Sequence, residues 1–212
     1  MLDNIDVLVH SCVRIESDDP AVVMYFDPFA LDVEPRDGDV IFVTHDHHDH
    51  FSPEDVARVA KDEAIIVCPK TSVAAVEAAG WPSGRIVGVA PGDSGEVCGI
   101  AFEAVAAYNV GKQFHPKENA WVGFVVTVGG QRCYVAGDTD ANEDNLKVAC
   151  DVAIVPAGGT YTFTAQEAAE FVNKIGPAYA IPTHYGNIVG VPEDGPEFAR
   201  NVREGIEVVL KL

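Results

Sequence analysis

The clearest chemical feature of the sequence is a cluster of histidines. Four of the seven histidines fall in the hexapeptide 45–50, His-Asp-His-His-Asp-His, which directly follows the apolar run 40–43. Where a chain turns as it leaves a strand, alternate side chains can point the same way. Neutral imidazoles together with a carboxylate suit borderline divalent ions such as Zn, Fe or Mn. The pattern therefore predicts a transition-metal site, with a solvated polar loop as the alternative.

Three further polar residues also come directly after apolar runs. Asp27 follows the run 21–26, Asp138 follows the run 132–136, and His184 follows a run that begins at residue 179. Side chains just past the ends of strands can gather from distant parts of a chain at one open edge of a sheet. Taken as local structure alone, Gly-Asp-Thr at Asp138 suits an Asx turn, and His184 suits a histidine at the edge of the core.

Short strands and a few helices would position these residues. We predict strands over residues 5–10, 13–16, 21–26, 40–43, 65–68, 85–89, 100–106, 121–128, 132–136, 152–155, 179–181 and 206–212. Helices are predicted from an N-cap at Ser52 to about Lys61, over residues 72–79, from a capping box at Thr164 to Gly176, and over residues 197–203. Gly129-Gly130 suits a hairpin turn. This order predicts two sheets face to face with helices outside.

Length and composition bound the class of protein. A chain of 212 residues with 48% hydrophobic and 22% charged residues is expected to form one domain over residues 1–212, and this composition excludes an intrinsically disordered chain. No apolar run approaches the roughly 18 residues of a membrane span, and the first residues lack a basic stretch followed by a secretory hydrophobic region. We therefore expect no membrane span and a cytoplasmic protein.

The charge balance restricts the partners. Lys and Arg number 14 against 33 Asp and Glu, which gives a formal charge of −19. Nucleic acids and anionic membranes bind clusters of Lys and Arg, and the sequence contains none longer than a basic pair. We therefore expect a small-molecule substrate and no nucleic acid, and a homo-oligomer is left open.

The cysteines favour neither a disulfide framework nor a thiolate zinc site. There are five, an odd number, and no two have the C-x-x-C spacing. We expect them to be buried, reduced thiols.

The sequence resembles the metallo-β-lactamase superfamily, whose signature H-x-H-x-D-H is matched by His45, His47, Asp49 and His50. The resemblance extends to the order of the other elements and spans nearly the whole chain. It implies an α/β (α+β) fold, a four-layer αββα sandwich with the metals at one edge between the sheets. Short length and the segments around residues 10–12, 27–29 and 156–161 resemble the compact branch that contains ascorbate-6-phosphate lactonase and N-acylphosphatidylethanolamine phospholipase D.

The resemblance also implies a ligand set. One metal would be bound by His45 and His47 and a second by Asp49, His50 and His184, with Asp138 bridging the two. Asp27 would accept an N–H from a ligand imidazole and fix its tautomer.

The match is imperfect at the third histidine of the first site. His115 is the only histidine between the hexapeptide and Asp138, and it lies in a loop beyond the strand 100–106. We predict that His115 completes the first site, within a lid loop that also carries Phe114, Lys112 and Lys117. The alternative is a mobile loop residue over the substrate. His10 resembles a Gly-His pattern near the start of some family members, but Val9 replaces the glycine, so His10 is expected to pack or to lie at the rim.

The function implied is a metal-dependent hydrolase in which a metal-bridging hydroxide attacks a small ester, lactone or phosphodiester. The expected cofactors are two divalent ions, Zn first, with Mn or Fe as alternatives. Asp49 and Asp138 would be the catalytic carboxylates, and Tyr161, Tyr185 and Lys117 are candidates for contact with the substrate. A non-catalytic or degenerate metal-binding scaffold remains an alternative. A nuclease of the same superfamily is a weaker one, because the sequence has neither an RNA-gripping insertion nor a basic patch.

Overall fold

Two β-sheets packed face to face form the centre of the computed structural model, which describes residues 2–212. The first sheet contains, in spatial order, β1 (Ile5–Val9), β2 (Cys12–Asp18), β3 (Ala21–Phe26), β4 (Gly38–Phe42), β5 (Ala60–Pro69) and β6 (Ile86–Val89). The second contains, also in spatial order, β7 (Ser94–Val97), β8 (Ile100–Ala106), β9 (Val122–Val128), β10 (Gln131–Val135), β11 (Val152–Pro156), β12 (Tyr179–Thr183) and β13 (Glu207–Val208).

Four α-helices cover the outer faces of the sheets. They are α1 (Pro53–Val59), α2 (Val73–Ala78), α3 (Ala165–Ile175) and α4 (Asp194–Asn201). Helices α1 and α2 share one apolar cluster with the first sheet, and α3 and α4 share another with the second sheet. The predicted αββα sandwich is therefore confirmed.

The core between the sheets follows from the alternation of side chains along each strand. In β4, Val40 and Phe42 join the cluster between the sheets, whereas Ile41 joins the cluster under the helices. The Phe42 ring stacks on Phe26 of the same sheet at 4.8 Å and meets Phe124 of the opposite sheet at 4.9 Å. Because both faces of β4 are buried, the strand leaves the core only at its ends, and the hexapeptide begins just beyond one of them.

Local signals place most element ends where the sequence predicts them. Thr164 accepts from the backbone N–H of Glu167 in a full capping box, and α3 ends at Gly176 in the left-handed conformation, with φ of 64°. Gly129 and Gly130 form the hairpin turn between β9 and β10, both with positive φ. Ser52 caps α1, which ends at Val59 and not near Lys61, because β5 begins directly after it.

Two differences from the sequence prediction occur at sheet edges. Strand β7 was not predicted, because its sequence Ser-Gly-Glu-Val has no apolar run, and it pairs only with β8. The predicted strand over residues 206–212 is reduced to β13. The N–H of Val209 still donates to the carbonyl of Ala180, but the next bond of that ladder would come from Pro182, which has no N–H.

Helix α4 begins three residues before the predicted start at Glu197 and ends at Asn201. All five cysteines are free, and three of them are buried; Cys98, however, is exposed, so the expectation of buried thiols is wrong there. Across residues 2–212 no helix is long and apolar enough to cross a membrane.

Candidate metal centre

The predicted ligands meet at one edge of the two sheets, where strands of the same direction end. In the first sheet β1, β3 and β4 run the same way, and His10, Asp27 and the hexapeptide follow them. In the second sheet β8, β10 and β12 run the same way, and they are followed by the loop of His115, by Asp138 and by His184. The sandwich thus brings residues from six distant points of the chain to one place.

The first ligand group consists of His45, His47 and His115. Nε2 of His45 lies 3.1 Å from Nδ1 of His47, and the His115 ring lies 5.2 Å and 5.0 Å from their two rings, centroid to centroid. One nitrogen of each histidine lies within 4.8 Å of one nitrogen of the others, a spacing suited to one metal ion.

The second ligand group consists of Asp49, His50 and His184. Nε2 of His50 lies 3.7 Å from Oδ2 of Asp49, and Nε2 of His184 lies 3.8 Å from the same oxygen. Both histidines are fully buried, while the Asp49 side chain keeps 14% of its surface exposed. This group therefore has one ligand that water can reach.

Asp138 lies between the two groups. Its Oδ1 is 3.3 Å from Nε2 of His50 and 3.2 Å from Nε2 of His184, and its Oδ2 is 3.3 Å from Nε2 of His115. One oxygen thus faces each group, which is the arrangement that a bridging carboxylate requires.

Four polar atoms at the centre of this cluster lack hydrogen bonds. Nε2 of His50, His115 and His184 and Oδ1 of Asp138 are buried and have no hydrogen-bond partner in the described part of the chain. Leaving a buried polar atom unpartnered costs about 1–3 kcal/mol. Ligands about 2.1 Å from one ion at tetrahedral angles lie about 3.4 Å apart, close to the separations observed here. The donor set therefore fits divalent ions.

A family model described as a beta-lactamase superfamily domain matches residues 4–184. The chain belongs to this superfamily. The superfamily resemblance inferred from the hexapeptide is thereby confirmed. The narrower resemblance to the compact branch stays a prediction.

Relatives with similar sequences cover most of the chain. A UPF0173 metal-dependent hydrolase of Methanopyrus kandleri is 29% identical, covering 96% of this chain and 94% of its own. A second, from Pyrococcus abyssi, is 30% identical and covers 82% of this chain and 79% of its own. Among solved structures, a proposed metal-dependent hydrolase from Parabacteroides distasonis has a TM-score of 0.81 at 25% identity, covering 98% of this chain and 92% of that one.

In this beta-lactamase superfamily protein Asp27 contacts His50 of the second group directly and His45 of the first group through Thr44. Its Oδ2 lies 2.7 Å from Nδ1 of His50 and accepts a 2.7 Å hydrogen bond from the hydroxyl of Thr44. The Thr44 oxygen lies 3.0 Å from Nδ1 of His45. The tautomer-fixing role of Asp27 stays a prediction, and Thr44 extends the contacts of Asp27 to the first group. Sequence reasoning missed Thr44, although its place between a buried strand and His45 was a usable signal.

Burial and the two central carboxylates push the pKa values of the histidines apart. Burial lowers the pKa of His45 well below its usual value, and burial with the nearby His115 lowers that of His47. Burial acts in the same direction on His50 and His184. The carboxylates together outweigh it and raise both pKa values: Asp138 and Asp27 at His50, and Asp138 and Asp49 at His184. Neutral imidazole is therefore the ordinary state of His45 and His47, while His50 and His184 retain a proton more strongly.

The histidines around Asp138 and Asp49 keep these two carboxylates ionised. Burial would raise the pKa of Asp138, but His184 and His50 hold it well below its usual value. Burial is likewise outweighed at Asp49, whose pKa is lowered by its hydrogen bond with His10 and by the nearby imidazoles of His184 and His50. Asp138 and Asp49 therefore carry the negative charge that binding a cation requires.

His115 reaches the superfamily site through a sharply turned loop. It is buried and adopts a left-handed backbone conformation, with φ of 57°. The Asn109 amide donates to the carbonyls of Phe114 and Tyr161 at 2.9 Å and 2.6 Å, which ties this loop to the one after β11. Trp121 packs against His45 and His47 at 4.7 Å. Sequence patterns had not indicated roles for Asn109 or Trp121.

The candidate substrate contacts lie in different surroundings. Tyr161 is exposed, and its ring centroid lies 4.7 Å from that of Phe114. Tyr185 is buried in the apolar cluster under α4, and the structure does not bring it to the ligand groups. Lys117 lies 2.8 Å from Glu143 and 3.3 Å from the hydroxyl of Tyr108.

The lysines of the lid loop, Lys112 and Lys117, are already paired with acidic side chains. Lys112 lies 2.6 Å from Asp140 and donates to the carbonyl of Thr162, and Lys117 is paired with Glu143. The hypothesis that these lysines offer free positive charge to an anionic substrate is therefore not supported by their contacts. Within the hexapeptide the His48 side chain is 83% exposed and Asp46 is exposed, so neither joins the ligand groups.

Proposed function

We propose that this metal-dependent hydrolase holds two divalent ions in its two ligand groups and hydrolyses a small ester, lactone or phosphodiester. The observation that carries the proposal is the set of buried atoms without hydrogen bonds: Nε2 of His50, His115 and His184 and Oδ1 of Asp138. Zn is the ion proposed first, because five histidines and two carboxylates supply nitrogen and oxygen donors; Mn and Fe accept the same donors.

His45, His47 and His115 would hold the first ion, Asp49, His50 and His184 the second, and Asp138 both. When bound, two divalent ions lower the pKa of a water toward neutrality, which supplies a hydroxide nucleophile, and polarise the oxygen of the group under attack. The Asp27 carboxylate keeps a proton on Nδ1 of His50, which leaves Nε2 free to bind. No Ser or Cys nucleophile is required.

Asp49 is the ligand best placed to act on the substrate side. Its Oδ2 faces the second ligand group, and its Oδ1 lies 3.6 Å from the exposed His48. Because its pKa is lowered, the carboxylate is ionised at neutral pH, and Oδ1 can accept a hydrogen bond that orients the attacking water. Asp138 acts between the groups by balancing the charge of both ions.

The surroundings favour a small substrate over a nucleic acid. Phe114 and Tyr161 form an exposed aromatic pair on the loops tied together by Asn109, and Trp121 packs against the first ligand group. The lysines of these loops are paired with acidic side chains, and the chain carries a formal charge of −19. A polyanion would meet little free positive charge here. A cytoplasmic location and a homo-oligomer stay predictions.

The test is turnover by metal-replaced protein. The chain is stripped with a chelator, loaded separately with Zn, Mn or Fe, and assayed on a panel of small esters, lactones and phosphodiesters. We expect hydrolysis of at least one class that returns with metal and is absent from His47→Ala. His48→Ala is the matched control, because the His48 side chain is exposed, and it should retain wild-type turnover.

Two results would contradict the proposal. Hydrolysis that survives the chelator and the His47→Ala change would show that the reaction does not use this centre. Protein that binds two ions per chain but hydrolyses nothing in a broad panel would favour the non-catalytic scaffold instead.

A further inference from the structure

His10 is a buried histidine that the ligand assignment does not use. It lies in the turn between β1 and β2, its exposed fraction is 0%, and its φ of 53° is left-handed. One of its ring nitrogens lies within 4.8 Å of ligand atoms of Asp49, His50 and His184. A polar ring so completely buried beside a ligand group needs a physical role.

The His10 side chain is aligned as a hydrogen-bond donor to Asp49. Its Nε2 lies 3.3 Å from Oδ2 of Asp49 with hydrogen-bond geometry. Nε2 of His184, in contrast, lies 3.8 Å from the same oxygen and makes no hydrogen bond within residues 2–212. The two imidazoles therefore relate to Asp49 differently: His184 points to a shared centre, and His10 points to the carboxylate itself.

His10 also holds His184. The backbone N–H of His184 donates to the carbonyl of His10 at 3.0 Å, and the two rings lie 3.9 Å apart, centroid to centroid, at 39°. Because His184 has a left-handed φ of 58°, its backbone needs such a restraint to stay turned after β12. His10 thus contacts Asp49 and His184, which lie 39 and 174 residues further along the chain.

We propose that His10 is a positioning residue for the second ligand group: it donates its Nε2 proton to Asp49 and fixes the backbone and ring of His184. This inference rests on the proposed function, since it concerns the geometry of a metal site. An ionised carboxylate can only accept a hydrogen bond, so the proton of this contact lies on Nε2 of His10. That proton satisfies an oxygen lone pair of Asp49 and holds the carboxylate in one orientation.

The experiment measures the two Zn dissociation constants by competition with a chelating indicator. His10→Gln keeps a donor near the position of Nε2, whereas His10→Asn is too short to place one there, and His10→Phe keeps a ring without a donor. We expect His10→Asn and His10→Phe to weaken the second ion by roughly 10–100-fold, to leave the first unchanged, and His10→Gln to recover most of the loss. The contrast between Gln and Asn holds even if the Phe variant does not fold.

Asp46→Asn is the matched control in the hexapeptide, because Asp46 is exposed and outside the ligand groups, and it should bind both ions normally. Visible spectra of cobalt-loaded protein then separate positioning from ligation, because loss of a ligand changes the coordination number and loss of a positioning contact does not. Unchanged affinity of the second ion in His10→Asn, or a cobalt spectrum altered in His10→Gln, would overturn the inference. Wild-type protein that binds no metal would instead overturn the proposed function.

Discussion

Asp27 and His45 are linked through the hydroxyl of Thr44. The Thr44 hydroxyl donates to Oδ2 of Asp27 at 2.7 Å, so its oxygen is left to accept the Nδ1 proton of His45 at 3.0 Å. The same Asp27 oxygen lies 2.7 Å from Nδ1 of His50. One carboxylate therefore determines the tautomer of a ligand in each group and leaves Nε2 of both histidines free for metal.

Replacing Asp27 should weaken metal binding without abolishing it. In Asp27→Asn the amide cannot offer two anionic oxygens, so His50 loses the charge that orients it, and we expect the second ion to bind roughly 10–100-fold more weakly. Zn affinity measured by chelator competition checks this. Asp46→Asn is the control, because Asp46 is exposed and outside the ligand groups. Equal losses in both variants would contradict the role of Asp27.

Replacing Asp138 should weaken the binding of both ions. Because its two oxygens face different groups, Asp138→Ala leaves two close cations without the charge between them, and we expect more than one ion to be lost per chain. Asp49→Ala should lose the second ion alone. Elemental analysis of protein purified without chelator makes the comparison. Full occupancy in Asp138→Ala would show that Asp138 does not bridge.

The hexapeptide and the strand ends could be read from the sequence because both depend on local patterns. A buried strand followed by His-Asp-His-His-Asp-His has few structural alternatives, and Asp138 and His184 each follow an apolar run. His115 was found through the superfamily resemblance, which implies a third histidine between the hexapeptide and Asp138. The structure brings all of these residues to one cluster.

The supporting contacts could not be read in the same way. His10 bonds Asp49 across 39 residues, and Asn109 bonds Tyr161 across 52, so neither contact leaves a periodic trace in the sequence. Tyr185 was a plausible substrate contact by its place beside His184, yet successive residues after a strand point in opposite directions, and its ring turns into the core. Lys117 has acidic partners that come from a separate segment.

Acid should remove the second ion before the first. The pKa values of His50 and His184 are raised, so each keeps a proton that the ion must displace, and affinity at this group falls as soon as pH drops through those raised values. The pKa values of His45 and His47 are lowered, so protons compete for the first group only at lower pH. Zn content measured from about pH 8 to about pH 5 should show two separate losses. Loss of both ions together, or of the first ion earlier, would contradict this order.

Gly158 should be intolerant of any side chain. A Cβ there would overlap the carbonyl oxygen of His184, so Gly158→Ala must displace the backbone that carries a ligand. We expect a loss of about 1–3 kcal/mol in the free energy of unfolding, together with weaker binding of the second ion. Gly84→Ala is the control, since nothing lies within 4 Å of its Cβ position, and it should be neutral or slightly stabilising. Thermal melting with and without Zn compares the two variants, and equal stability would refute the steric argument.

The most direct test of the two-ion centre is an anomalous difference map from a crystal of Zn-loaded protein. We expect two peaks roughly 3.5–4 Å apart. One should lie near 2.1 Å from nitrogens of His45, His47 and His115, and the other at a similar distance from Asp49, His50 and His184, with Asp138 touching both. A single peak, or two peaks with the His115 imidazole more than about 4 Å from either, would contradict the assignment.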